Sequence, residues 1–140
     1  MELAIDLGRT WTWSLPADAT CPRVARARLR EALAALEVSR ETVEDAVLMV
    51  SELATNAHQH AAGYPPHELW VYCFDDRTFS CAVFDGLPTR ELPLALERGD
   101  FGRGLSIVAE LSGGRWGTDA AHARLDPCVR GKAVWFTCDR

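Results

Sequence analysis

The sequence lacks the features of membrane-spanning and secreted proteins. No stretch of it approaches the roughly 18 uninterrupted apolar residues of a membrane span. The opening segment Met1–Gly8 has neither a basic region nor a long apolar run, so we expect no secretory leader. The five cysteines are odd in number and contain no C-x-x-C pair. We therefore expect a cytoplasmic protein with reduced thiols; a Cys73–Cys81 bridge between neighbouring strands is the alternative.

An excess of positive charge is also absent. The net charge is −5, and the 15 basic residues, of which only Lys132 is a lysine, are interspersed with 20 acidic ones. Proteins that bind the nucleic-acid backbone normally display a basic face, so no direct nucleic-acid contact is expected. The 140 residues, 48% of them hydrophobic, fit a single soluble domain over residues 1–140, with its core at about 11–138.

The periodicity of apolar residues predicts alternating strands and helices without repeats or linkers. Ser39 is expected to cap the second helix, and the turn 63–66 to end it. The segment 119–130 gives no clear prediction. The predicted strands are Trp11–Leu15, Glu68–Phe74, Thr78–Phe84, Arg115–Thr118 and Ala133–Cys138, and the predicted helices run from Pro22 to Leu36, from Ser39 to about His60 and from Gly104 to Leu111.

This order of elements predicts a two-layer α+β sandwich. We expect a mixed, mostly antiparallel sheet of about five strands, with three helices covering one face. The stretch Asp85–Phe101 is predicted to be a long loop, with at most one helical turn at Leu94–Glu97. The strand Trp11–Leu15 offers a sheet edge that could pair with a second copy to form a homodimer. All five tryptophans fall on predicted strands, which favours a core role.

Three polar side chains follow one face of the second predicted helix. Glu52, Asn56 and His60 are each four residues apart, while Leu53 and Ala57 beside them are apolar. A solvated stripe on an amphipathic helix explains most such patterns. A carboxamide oxygen nevertheless suits Mg²⁺, and a carboxylate one turn away could orient or deprotonate a hydroxyl aimed at phosphorus. The stripe alone leaves both interpretations open.

Two glycine-containing motifs are candidates for nucleotide binding. Gly102-Arg103-Gly104 opens the third predicted helix, where unpaired N–H groups favour a phosphate; an ordinary loop-to-helix junction is equally consistent. A Rossmann motif is excluded, because a polar loop precedes these glycines and Ile107 stands at the third-glycine position. Asp85-Gly86 ends a predicted strand, where the carboxylate could accept a hydrogen bond from an adenine amino group or simply start a turn.

These motifs, in this order, resemble the GHKL (Bergerat-fold) ATP-binding superfamily of gyrase-type ATPases and histidine kinases. Within it, the small anti-sigma-factor serine/threonine kinases are the most similar branch, so the resemblance implies the histidine-kinase-like ATPase fold. The similarity runs from about Trp11 to Phe136. Residues 52–61 look like the family's N-box, 83–88 like its first glycine box, 102–108 like its second, and 111–117 and 131–135 like its closing strands.

The resemblance implies a role for each matched position. Asn56 would hold Mg²⁺ against the phosphates of ATP, and Glu52 would be the catalytic base or water-positioning group. His60 would contact a phosphate. Asp85, with Gly86, would read the adenine amino group; Gly102, Arg103, Gly104 and Leu105 would wrap the phosphates, and Glu91–Phe101 would form the mobile lid.

The function implied by the resemblance has more than one form. One is an ATP-dependent protein serine/threonine kinase that regulates transcription by phosphorylating an anti-sigma-factor antagonist, with Glu52 activating the acceptor hydroxyl. Another is a non-catalytic, nucleotide-tuned module that sequesters a sigma factor or other regulator. Leu87 and Thr89 stand where the family's fuller first glycine box has glycines. That departure leaves open a third form, a fold that no longer binds nucleotide.

Overall fold

Five strands and three helices make up the part of the chain that the structure, a computed structural model, describes, namely residues 8–88 and 102–140. Their order is the one predicted from the sequence. The elements are β1 (Arg9–Leu15), α1 (Cys21–Ala35), α2 (Arg40–Ala61), β2 (His67–Cys73), β3 (Thr78–Asp85), α3 (Gly102–Leu111), β4 (Trp116–His122) and β5 (Arg130–Asp139).

The strands form one sheet in the spatial order β1-β2-β3-β5-β4. All four neighbouring pairs in the described ranges are antiparallel, so the parallel part of the expected mixed sheet is not found there. The helices pack against one face of this sheet. The predicted two-layer α+β sandwich is confirmed, and β1 lies at the sheet edge as expected.

Local signals place the two long helices where the sequence predicts them. Pro22 lies in the first turn of α1, where its missing N–H costs nothing. Ser39 caps α2, since its side-chain oxygen accepts a hydrogen bond from the backbone N–H of Thr42 at 3.3 Å. No helix in the described ranges is long and apolar enough to cross a membrane.

The main core lies between the helices and the sheet. Phe79 and Phe136 reach into it from β3 and β5 and are almost fully buried. Trp11, Trp13 and Trp116 pack against its margin, which agrees with their predicted core role. From the helix layer it receives fully buried side chains that include Leu29, Leu33, Met49, Val50 and Val108.

A smaller apolar cluster covers the opposite face of the sheet. The rings of Trp70 and Phe84 stack there with centroids 5.5 Å apart. Ala82, Ala123 and Ala133 complete the cluster, and Trp135 packs at its edge. The tryptophans of this chain are therefore shared between two faces of the sheet.

The side chain of Glu68 holds the connection between β4 and β5 against this second cluster by hydrogen bonds. Its carboxylate is fully buried and accepts hydrogen bonds from the backbone N–H of Arg124 at 2.8 Å and of Leu125 at 3.1 Å. It also accepts one from the Trp70 indole N–H at 2.8 Å. The Arg124 guanidinium lies 4.2 Å from the Trp70 ring centroid. The segment 119–130, which lacks a periodic pattern, is thus positioned by tertiary contacts.

The cysteines are free thiols throughout the chain, as predicted. The alternative Cys73–Cys81 bridge is wrong, because the β2–β3 register places Val71, not Cys73, opposite Cys81. Burial raises the pKa of Cys21 to about 11 and that of Cys138 to about 12. Both thiols therefore stay protonated at neutral pH and are poor nucleophiles.

Replacing Glu68 should test how much the second cluster depends on its carboxylate. Glu68→Ala leaves the buried N–H of Trp70 and the part-buried N–H groups of Arg124 and Leu125 without their acceptor, and a buried unsatisfied donor costs about 1–3 kcal/mol. We expect the free energy of unfolding, measured by urea denaturation, to fall by about 1–3 kcal/mol. Glu68→Gln, which keeps one acceptor oxygen, should lose less.

The matched control is Glu110→Ala, which removes an exposed glutamate from α3. Exposed substitutions usually change stability by no more than about 0.5 kcal/mol. Equal midpoints for the Glu68→Ala and Glu110→Ala proteins would show that the buried carboxylate does not hold this connection.

Candidate functional site

One unbroken helix carries the predicted polar stripe. Glu52, Asn56 and His60 lie within α2, and their four-residue spacing places them on one side of it. Glu52 and Asn56 are half-buried, whereas His60 is exposed. A fully solvated stripe does not fit the first two. The neighbouring side chains of Leu53 and Ala57 are buried, so the stripe follows the boundary of the core.

The second glycine motif lies at the start of α3. This helix begins at Gly102, two residues before the predicted start. Leu105, predicted to help wrap the phosphates, is 8% exposed and belongs to the main core. The helix α3 also packs against α2, the helix that carries the polar stripe. The side chain of Arg103 and the predicted lid Glu91–Phe101 lie outside the described residues.

Asp85 is the last residue of β3 and is almost completely buried, with 1% of its surface exposed. One carboxylate oxygen, Oδ1, accepts a hydrogen bond from the backbone N–H of Leu87 at 2.9 Å. This is the turn-starting role that was the alternative interpretation of Asp85. The other oxygen, Oδ2, accepts one from the Lys132 ammonium at 2.5 Å. Asp85 therefore starts a turn and also forms a buried ion pair.

Lys132 is a site residue that the sequence motifs did not reveal. It lies on β5, directly opposite Asp85 in the β3–β5 ladder, and is 2% exposed. The one signal in the sequence is that Lys132 is the single lysine of the chain. That signal is weak, because lysine on a strand normally points to solvent.

His67 was also missed by the sequence motifs. It is 1% exposed, and its Nε2–H donates a hydrogen bond to the backbone carbonyl of Ala61, the last residue of α2, at 2.9 Å. Its other ring nitrogen, Nδ1, is buried and has no hydrogen-bond partner among the described residues. His67 is one position beyond the last paired residues of β2 and β3, Glu68 and Phe84. His67, Asp85 and Lys132 thus form a buried polar row across the helix-facing side of three neighbouring strands.

Two glycines allow the backbone to pack closely around Asp85. The N–H of Gly86 donates to the carbonyl of Tyr64 at 2.8 Å, and a Cβ on Gly86 would lie 2.9 Å from the carbonyl oxygens of Tyr64 and Pro65. A Cβ on Gly131 would collide with the carbonyl oxygen of Asp85 and lie 2.7 Å from the Cα of Gly86. The turn after α2 and the start of β5 are therefore both held against the end of β3.

The donors on α2 suit a magnesium ion that is shared with a nucleotide. Mg²⁺ usually binds through one or two protein oxygens and completes its shell with water and substrate phosphates. The Asn56 carboxamide and the Glu52 carboxylate, half-buried one turn apart, supply oxygens of this kind. The described part of the chain contains no cluster of three or more His, Cys, Asp or Glu side chains that would hold a metal by itself. The residues fit a phosphate-bridged ion.

The fold and this site together define an α+β domain with polar groups at one end of the sheet, beneath the end of α2. The sequence model of the histidine kinase-like ATPase domain matches residues 15–113, well over half of the chain. The protein therefore belongs to the histidine kinase-like ATPase domain family, and this membership implies ATP as its ligand. A comparison with curated proteins finds no match.

The family match confirms the wider part of the resemblance seen in the sequence. It covers the N-box residues 52–61 and both glycine boxes, and it ends before β4 and β5. Lys132 therefore lies outside the matched residues. The match does not identify a protein substrate, so it does not extend to the narrower assignment to anti-sigma-factor kinases.

Replacing Gly131 should show how closely β3 and β5 approach at Asp85. Gly131→Ala adds a methyl group that overlaps the Asp85 carbonyl, and overpacking of this kind costs about 1–3 kcal/mol. We expect a loss of that size in the free energy of unfolding, measured by chemical denaturation. Gly63→Ala is the matched control, since its added Cβ would meet nothing within 4 Å. If both variants unfold at the same denaturant concentration, the strands do not approach as closely as described.

Proposed function

We propose that this protein is an ATP-dependent serine/threonine protein kinase that acts in the cytoplasm on an anti-sigma-factor antagonist. The observation that supports this most directly is the half-buried pair Glu52 and Asn56, one turn apart on a helix that packs against α3, the helix that begins in the second glycine motif. A carboxylate at that position can serve as the general base of phosphoryl transfer, a role that a non-catalytic module does not require. The kinase function would make this chain a regulator of transcription.

Each part of the site has a task in phosphoryl transfer. The backbone N–H groups at the start of α3 favour the phosphates of ATP, because a helix N-terminus attracts anions. Asn56 would hold a magnesium ion, which supplies positive charge against the phosphates when it is bound. His60 is four residues further along the same face, where an imidazole can contact a phosphate. Asp85 would accept a hydrogen bond from the adenine amino group.

Glu52 would act on the acceptor hydroxyl. A serine or threonine oxygen of the substrate forms a bond to the γ-phosphorus of ATP as the bond from that phosphorus to the β,γ-bridging oxygen breaks. ADP leaves with the electron pair of the broken bond. The hydroxyl proton passes to the Glu52 carboxylate, which is the general base of the step. The antagonist protein leaves as a phosphoserine or phosphothreonine product.

Asn56→Ala should separate magnesium-dependent from magnesium-independent ATP binding. Loss of a contact to a charged partner costs about 1.5–3 kcal/mol, which is a weakening of roughly tenfold or more. We expect that weakening in calorimetric titrations with Mg²⁺ and a much smaller one in EDTA. Gln59→Ala is the control, because Gln59 is exposed on the same helix. Should the two variants titrate alike under both conditions, Asn56 does not hold the ion.

Glu52→Gln should separate the kinase from the nucleotide-tuned binding module. Positioned general bases contribute about 10²–10⁴-fold to rate, so we expect transfer of labelled phosphate to the antagonist to fall by that factor. ATP affinity should change by less than about threefold, because Gln keeps the size of the side chain. Glu41→Gln, an exposed glutamate in the first turn of α2, is the control. Undiminished transfer by the Glu52→Gln protein would reject Glu52 as the base, whereas no transfer by the wild type would favour the binding module.

A further inference from the structure

The buried ion pair between Asp85 and Lys132 is not explained by fold stability. Two charges lose their hydration on burial, and well-packed apolar residues in the same place are often equally or more stable. The same two strands use that apolar solution further along. On the same face, the neighbouring cross-strand pairs are Val83–Val134 and Cys81–Phe136. The charged pair is therefore a local exception in an apolar ladder.

The exception occurs at the end of the sheet where the candidate site lies. Asp85 is followed by Gly86, whose N–H is bonded to the turn after α2. In the adjacent strand, His67 is bonded to the last residue of α2. The charged pair thus lies beneath the C-terminal end of the helix that carries Asn56 and His60.

The hydrogen bonds fix the Asp85 carboxylate in position and in direction. Lys132 binds Oδ2 and the N–H of Leu87 binds Oδ1, so rotation of the carboxylate would break at least one contact. An ionised carboxylate offers about four lone-pair sites, so both oxygens can accept further hydrogen bonds. The carboxylate thus keeps acceptor capacity for the amino group of a base.

We propose that Lys132 is a positioning residue that holds the Asp85 carboxylate in the orientation in which it accepts a hydrogen bond from the exocyclic amino group of a purine base. This inference rests on the proposed function, in which Asp85 reads the base. Without the ammonium, Oδ2 loses this hydrogen-bond donor, and the carboxylate is held less firmly against rotation. A carboxylate that has rotated no longer presents a lone pair in the direction of the amino group. Lys132 therefore determines base selectivity without touching the base.

The test compares ATP with purine riboside 5′-triphosphate, which lacks only the exocyclic amino group. A hydrogen bond to a charged acceptor implies that wild-type protein binds ATP at least about tenfold more tightly than the analogue. Lys132→Met keeps the length of the side chain and removes its charge, and should reduce this ratio to about threefold or less. Lys132→Arg keeps the charge and should retain most of the preference. Both dissociation constants are measured by calorimetry on the full chain.

The ratio distinguishes positioning from a purely structural role. If Lys132 only supports the fold, Lys132→Met should weaken both nucleotides in parallel and leave the ratio unchanged, which would overturn the proposal. A wild-type protein that binds ATP and the analogue equally would also overturn it, yet would leave ATP binding intact. A wild-type protein that binds neither nucleotide would reject the proposed function itself, and the role of Lys132 with it.

A second variant keeps the test decisive if the Lys132→Met protein, in which Asp85 has lost its ion-pair partner, does not fold. The double variant Asp85→Ala with Lys132→Met removes both charges and leaves no unpaired ion in the core. We expect it to fold, as checked by circular dichroism, and to bind ATP and the analogue equally. A folded double variant that keeps the wild-type preference for ATP would show that Asp85 and Lys132 do not read the amino group.

Discussion

The ion pair between Asp85 and Lys132 is the contact on which the geometry of the site depends. It joins the end of β3 to the start of β5, next to the hydrogen bond between the N–H of Gly86 and the turn after α2. The glycine at 131 lets the two strands approach closely enough for the pair to form. Once the pair is buried, neither charge can leave without exposing the other to an apolar surrounding. The carboxylate is therefore held in place before any ligand arrives, which is the preorganisation that the proposed recognition of a base would use.

The two faces of the sheet serve different purposes. One carries the main core and receives the three helices, so the residues of α2 and α3 are held against a rigid layer. The other is partly covered by the β4–β5 connection, which Glu68 and Trp70 fasten. Because Glu68 on β2 is hydrogen-bonded to that connection, the start of β5 is held by contacts on both faces of the sheet. The position of Lys132 thus depends on contacts from both of them.

The candidate site combines a stable framework with groups left near the surface. Asp85, Lys132 and His67 are almost completely buried, whereas Glu52 and Asn56 are half-buried and His60 is exposed. The exposure of the site residues therefore increases from Asp85 to His60. This change suits a ligand with an aromatic base at one end and charged phosphates at the other. The base can lie in the less hydrated part, and the phosphates can keep much of their water. The family to which the chain belongs binds a ligand of this shape.

The sequence by itself determined the order of the elements and the capped helix with Glu52 and Asn56, and it indicated a sheet that is mostly antiparallel. These features depend on local periodicity and on short motifs, such as Ser39 at a helix start, that act over one or two turns. Only the tertiary structure decided the partner of Asp85, the buried state of Lys132 and the path of residues 123–129. Each of these depends on residues far apart in the chain, 47 positions for Asp85 and Lys132 and 56 for Glu68 and Arg124. Strand register brings such residues together, and no local pattern in this single sequence records it.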